Sequence, residues 1–176
     1  MIKTTYIAFM FSLLAGSALV QAQSGAEAVA AAEVKVGDKA PGFELMNSQG
    51  EKVSLKDYEG KKTVVLSFNR AHWCPFCMRQ LVQLRKDYDK FAEAGAEVLV
   101  VFREERDGLE GMKKSAKVSQ GSFPILLDEK SAQTKVYSQT GYDTYIIDKD
   151  GKVAAKIEGT KKKRASNEEI LAALKK

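Results

Sequence analysis

The chain of 176 residues contains two cysteines, Cys74 and Cys77, separated by Pro75 and Phe76. A disulfide between residues this close in sequence closes almost no loop and removes little entropy from the unfolded chain, so reactivity accounts for the pair better than stapling does. Pro75 suits the first position of a helix, where its missing N–H is not needed. A helix starting there would expose Cys74 to the positive end of the helix dipole and to unpaired backbone N–H groups, both of which favour thiolate. Cys77 lies one turn inside, on a stripe continued by Leu81, Leu84, Tyr88 and Phe91 at helical spacing. Apolar surroundings there would disfavour its thiolate. The chemistry expected is thiol–disulfide exchange, with Cys74 attacking and a sheltered Cys77 resolving.

The elements that must position the pair follow from hydrophobic pattern. Thr63-Val64-Val65-Leu66-Ser67-Phe68 is a β-branched apolar run that reads as a buried strand ending just before the dithiol. The helix begun at Pro75 is expected to run to Ala94-Gly95, followed by a second strand at Val98–Phe102 and a helix at Asp107–Lys117. A short strand at Phe123–Leu127 leads to an expected helix over Ser131–Ser138. Thr144–Ile147 and Val153–Ile157 flank Asp148-Lys149-Asp150-Gly151, a hairpin turn. A last helix spans about Ser166–Leu174, with Ser166 and Glu169 spaced as a capping box. Upstream, Phe43–Leu45 and Lys52–Leu55 flank Asn47-Ser48-Gln49-Gly50 as a first hairpin. Strands alternating with helices predict an α/β domain.

The stretch Val64–Cys77, which ends in Trp73-Cys74-Pro75-Phe76-Cys77, resembles the active-site strand and turn of the alkyl hydroperoxide reductase/thiol-specific antioxidant (redoxin, peroxiredoxin-like) family. Gly37-Asp38-Lys39-Ala40-Pro41-Gly42-Phe43 is similar to the family's opening, Phe123–Asp128 to its middle strand and Ile146–Val153 to its closing hairpin. The resemblance implies a thioredoxin-like fold, a central mixed sheet with helices on both faces. It implies two activities: disulfide exchange through Cys-x-x-Cys, or reduction of hydroperoxides by one cysteine preceded by Pro-x-x-x-Thr-x-x. With Cys77 on the peroxidatic position, Cys74 falls where the Thr should be and Arg70 where the Pro should be. The expected function is therefore thiol–disulfide oxidoreductase, with thiol peroxidase as the alternative and a non-catalytic binding or metal-delivery domain as the third reading. Protein thiols and disulfides, or peroxide, are the expected substrates. Where thioredoxins carry a cis-Pro and peroxiredoxins an Arg opposite the dithiol, this chain has Tyr142.

Several other residues are candidates for the site. Arg70 and His72 could favour thiolate at Cys74, Trp73 is expected to pack beside the dithiol, and Arg103, after the second strand, is a candidate substrate-facing charge on the same sheet edge. Cys74, Cys77 and His72 offer three soft ligands where a closed zinc site needs four, so a metal is not expected; the dithiol itself carries the redox chemistry, and no bound cofactor is expected either.

Composition sets the outer limits. At 44% hydrophobic and 29% charged, with a formal charge of +5, the chain is an ordinary single globular domain. The run Lys161-Lys162-Lys163-Arg164 reads as a solvated loop, and with no interleaved aromatics it argues against a nucleic-acid partner. Met1-Ile2-Lys3 precedes an uncharged stretch from Ile7 to Val20, about 14 residues where a membrane span needs roughly 20, and Val20-Gln21-Ala22 offers a small-x-small cleavage site. The expected organisation is a signal peptide over 1–22, an Ala-rich linker over 23–33 and a redoxin domain over 34–176, in an exported and periplasmic protein. Acting there as a reductase, it would draw electrons from a membrane-linked donor.

Overall fold

A computed structural model describes residues Ala32–Lys176; the expected signal peptide, its cleavage site and most of the linker lie outside them. The strands are β1 (Glu44–Asn47), β2 (Lys52–Ser54), β3 (Thr63–Asn69), β4 (Ala96–Phe102), β5 (Ile125–Leu127), β6 (Thr144–Ile147) and β7 (Val153–Ile157). They form one mixed sheet in the order β2-β1-β5-β4-β3-β6-β7, parallel from β3 through β4 to β5 and antiparallel at the other pairings. This is the thioredoxin-like class the sequence leads one to expect.

Strand alternation splits the core in two. Val65, Val98, Val100 and Ile146 face helices α1 (Pro75–Lys86), α2 (Tyr88–Glu93), α3 (Gly108–Ser119) and α4 (Asn167–Ala173), which contribute Leu81, Leu84, Phe91, Met112 and Ile170. Val64, Leu66, Phe68, Leu99 and Val101 face the other way, under Leu55 of a short 3-10 turn and under Tyr137. The same alternation puts Ser67 and Asn69 on the face of Val65, so the floor beneath α1 turns polar as β3 approaches the dithiol.

Two helices differ from expectation, each because a side chain takes over a backbone group. The helix from Pro75 breaks at Asp87: Asn167, buried at the start of α4, donates from Nδ2 to the Gln83 carbonyl at 2.6 Å, which is the acceptor the Asp87 N–H would otherwise use. Over Ser131–Ser138 there is no α-helix. Asp128 accepts from the N–H groups of Gln133 and Thr134 at 3.0 and 2.8 Å, while Arg103 donates to the carbonyls of Thr134, Tyr137 and Ser138. Arg103 thereby takes the Thr134 carbonyl and Tyr145 Oη the Ser138 N–H, the two groups that would pair with each other in such a helix, while Lys130 and Ser131 hold positive φ at its start.

Arg103 is accordingly corrected from a substrate-facing charge to a buried organiser. Its guanidinium lies 4.1 Å from the Phe68 ring and is enclosed by the segment it orders. Burial lowers its pKa against the raising influence of Asp128, Tyr145 and Asp143. Close to the same segment Glu33, read as linker, accepts from Tyr145 Oη at 2.8 Å and Lys156 Nζ at 2.9 Å. No helix among the described residues is long and apolar enough to cross a membrane.

Candidate active site

β3 and β4 run parallel in register from Thr63 opposite Ala96 to Asn69 opposite Phe102, so the turns that leave them emerge side by side. Two backbone bonds continue the ladder past the strands, Arg103 N–H to the Asn69 carbonyl at 3.1 Å and Glu104 N–H to the Arg70 carbonyl at 2.9 Å. The second turn thereby braces the first, and the tight turn of Ala71 to Cys74 closes with the Cys74 N–H on the Ala71 carbonyl.

Cys74 is the N-cap of α1, with extended backbone, and its Sγ accepts from the Cys77 N–H at 3.3 Å; Pro75 occupies the first turn. The two sulfurs are bonded, with Cα atoms 5.2 Å apart. Cys77 is fully buried and Cys74 only 4% exposed, a deeper position than an exposed nucleophile would have. Access comes through a cleft of about 260 Å³ that opens on Cys74, walled by Trp73, Pro75 and Phe76 and rimmed by Arg70, Lys161 and Lys162.

The remaining candidates fall into distinct roles. Trp73, more than a third exposed, has two guanidinium groups against its ring, Arg70 at 4.6 Å and Arg106 at 5.4 Å. Arg70 is itself committed to Glu104, whose carboxylate accepts from both Nε and Nη2 and raises the Arg70 pKa. His72 is turned to Glu105 through Nδ1, at 2.9 and 3.0 Å, and to Asp107 through Nε2 at 3.5 Å, so both ring nitrogens address carboxylates. His72, Glu105 and Asp107 bring their ligand atoms within 4.8 Å of one another, a grouping a cation could use. Both acids are already occupied: Glu105 by the His72 ring and by backbone N–H groups, Asp107 by Lys114 at 3.0 Å. The cysteines are not part of that group.

Beneath the dithiol lies a residue the sequence reading assigned to a solvated loop. Arg164 is 8% exposed; its Nη2 stands 3.4 Å from Cys77 Sγ, its Nε donates to Asn69 Oδ1 at 3.1 Å, its Nη1 donates to the carbonyl of Thr160, and its guanidinium covers the Tyr142 ring at 4.4 Å. Burial lowers its pKa, the Tyr142 ring opposing. The apolar setting expected for Cys77 is therefore corrected: leucines flank it along α1, but a buried cation touches its sulfur. The loop reaches this position because Gly159 lies on the Tyr142 carbonyl so closely that a Cβ would sit 1.9 Å from that oxygen, and its N–H is held by Asp143 Oδ1 at 2.8 Å. Nothing in the spacing of Lys161–Arg164 announces this; the only hint is the polar pair Ser67 and Asn69 ending an otherwise apolar strand.

A profile of the AhpC/TSA family matches residues 36–156. The chain belongs to the AhpC/TSA family. It is 31% identical over 137 residues to the thiol-disulfide oxidoreductase ResA of Bacillus thuringiensis subsp. konkukian, covering 77% of each chain. A structure described as a thiol:disulfide interchange protein DsbE from Chlorobium tepidum superposes with a TM-score of 0.65 at 31% identity, over 81% of this chain and 99% of the other. The peroxidoxin BcpB of Mycobacterium tuberculosis superposes with a TM-score of 0.67 at 26% identity, over 81% of this chain and 97% of the other. This AhpC/TSA member is a thiol–disulfide oxidoreductase with peroxiredoxins among its relatives, and its redox centre is the Cys74–Cys77 disulfide.

Proposed function

We propose that Cys74 is the attacking thiol and Cys77 the resolving thiol of a protein-disulfide exchange reaction that proceeds without a bound cofactor. The observation that carries this reading is the position of Cys74 at the N-cap of α1, with its sulfur on the Cys77 N–H and with the only cleft at the dithiol among those described leading to it. The Cys74 thiolate attacks one sulfur of a client disulfide, forming a mixed disulfide and releasing the first client thiolate. Cys77 then attacks Cys74 Sγ, closing the intramolecular disulfide and releasing the second client thiolate. Two electrons pass from the dithiol to the client, and two protons are taken up by the client sulfurs. The reverse sequence oxidises a client dithiol.

Trapping tests the assignment. Cys77→Ser is expected to accumulate mixed disulfides through Cys74, whereas Cys74→Ser accumulates none. The opposite pattern would reverse the roles.

The place of action belongs to the same proposal. The uncharged run Ile7–Val20 and the site Val20-Gln21-Ala22 support export to the periplasm with cleavage before Gln23, and a reductase there would take electrons from a membrane-linked donor. The intact mass of the envelope protein is expected to correspond to a chain beginning at Gln23; a full-length chain in the membrane fraction would overturn cleavage.

A further inference from the structure

We propose that Arg164 is a catalytic residue whose guanidinium holds Cys77 as the thiolate that resolves the mixed disulfide. This deepens the exchange reading above and rests on it.

The Arg164 guanidinium is a buried charge without an anionic partner among the described residues. Arg164 is buried, and its hydrogen-bond acceptors are an amide oxygen, two backbone carbonyls and the Cys77 sulfur. Among the described residues no carboxylate pairs with it; Asp143 is engaged by Ser138 and Gly159, and Glu169 by Lys163 and Ser166. A buried cation without an anion is strongly unfavourable, so an anion that forms beside it is correspondingly stabilised. The floor of the site also has more donors than acceptors: Gln80, one turn along α1 from Cys77, takes the Asn69 amide through Oε1 at 2.9 Å, leaving its own buried Nε2 without an acceptor. A pocket with a spare charge and a spare donor fits a thiolate, and reduction of the disulfide creates one in contact with Arg164.

The consequence for the reaction is specific. In the mixed disulfide Cys77 is a free thiol in a water-poor site, and it must lose its proton before it can attack. With Arg164 alongside, the proton leaves to solvent or to the departing client thiolate, and no buried carboxylate base is required. The Cys77 anion then forms the new bond to Cys74 Sγ as the bond from Cys74 to the client breaks. The same contact stabilises the reduced form relative to the disulfide and so moves the couple toward the oxidising side. Other titratable and charged groups around Cys77 are Tyr142 below Arg164, Cys74 itself, and Arg70, a like charge that also acts on Arg164. His72, Glu105 and Asp107 are engaged with one another across the turn.

The test titrates Cys77 by its alkylation rate in the Cys74→Ser background and measures the reduction potential with both cysteines present. Arg164→Gln is expected to raise the Cys77 titration, to slow release of a Cys74-linked client at least tenfold, and to lower the dithiol potential by about 30 mV for each tenfold change in the exchange constant. Arg164→Lys, which keeps the charge, is expected to recover most of each effect. Because Arg164 also ties down its loop, Asn69→Asp supplies a second test: it sets a carboxylate against the guanidinium with the arginine in place, and should also raise the Cys77 titration and lower the potential. If both Arg164→Gln and Asn69→Asp leave the titration and potential at wild-type values, Arg164 has only a structural role. Should Cys77→Ser fail to trap any client, the exchange reading falls whatever Arg164 does; if trapping succeeds while Arg164→Gln resolves at the wild-type rate, this inference alone falls.

Discussion

Glu105 grips His72 in two places, accepting its backbone N–H at 2.8 Å and meeting its Nδ1 at 2.9 and 3.0 Å, while the Glu105 side chain is entirely buried. One carboxylate thus joins the loop after β4 to the residue two before Cys74. Gly111 in α3 makes room for it, since a Cβ there would stand 2.3 Å from the carboxyl carbon.

Removing this carboxylate is expected to unbrace the dithiol turn. Glu105→Ala leaves the His72 and Asp107 N–H groups without their acceptor and should cost about 2–3 kcal/mol of stability. Gly111→Ala should cost about 1–3 kcal/mol by overpacking against the same group. Urea unfolding of the oxidised protein reads both; wild-type midpoints in both variants would show that Glu105 does not hold the turn.

Acid stability is expected to depend on Glu33. Burial pushes its carboxyl upward, but Lys156, Tyr145 and the Gln139 N–H outweigh this and hold its pKa below the ordinary 4.5. A carboxyl depressed in the folded state contributes stability that is complete above its unfolded pKa and is lost as pH falls through the folded one. Glu33→Gln should therefore be less stable than wild type at about pH 7, and the two should converge as pH falls below about 4.5. Unfolding midpoints at several pH values decide it; a difference that stays constant with pH would rule out the ionised pair as its source.

What could be read from the sequence was local. The strand ending before the dithiol, the N-cap cysteine followed by Pro75, and the capping box of Ser166 and Glu169 each depend on residues within one turn or one strand, and each has its expected form. The helix expected over Ser131–Ser138 failed because Arg103, distant in sequence, claims the Thr134 carbonyl and Tyr145 claims the Ser138 N–H that would pair with it. Arg164 was hidden for a similar reason: its contact with Cys77 spans 87 positions and depends on Gly159 fitting against Tyr142, and a run of four basic residues gives no sign that the last one turns inward. Tyr142, noted only as a departure from the family's pattern, is the platform on which that guanidinium rests.

The remaining prediction separates exchange from peroxide reduction. A peroxidase with Cys77 attacking would convert its thiolate and a hydroperoxide into a sulfenic acid and an alcohol, after which Cys74 would displace water to form the disulfide. Arg164 supplies the charge that such a thiolate needs, so ionisation alone does not exclude the reaction. Access does: Cys77 is fully buried, Cys74 stands between it and the cleft, and replacing Cys74 by Ser alters the size of that barrier very little. By the family resemblance Cys74 also stands where the peroxidase pattern has its Thr, and in the proposed exchange it is the residue that meets the client first. Cys74→Ser treated with hydrogen peroxide is therefore expected to form sulfenic acid at Cys77 no faster than an unactivated thiol does, while Cys77→Ser still captures a disulfide client through Cys74. Rapid, stoichiometric sulfenylation of Cys77 in Cys74→Ser, lost again when Arg164→Gln is added, would move the protein to the peroxidases and make Arg164 the activator of their attacking cysteine.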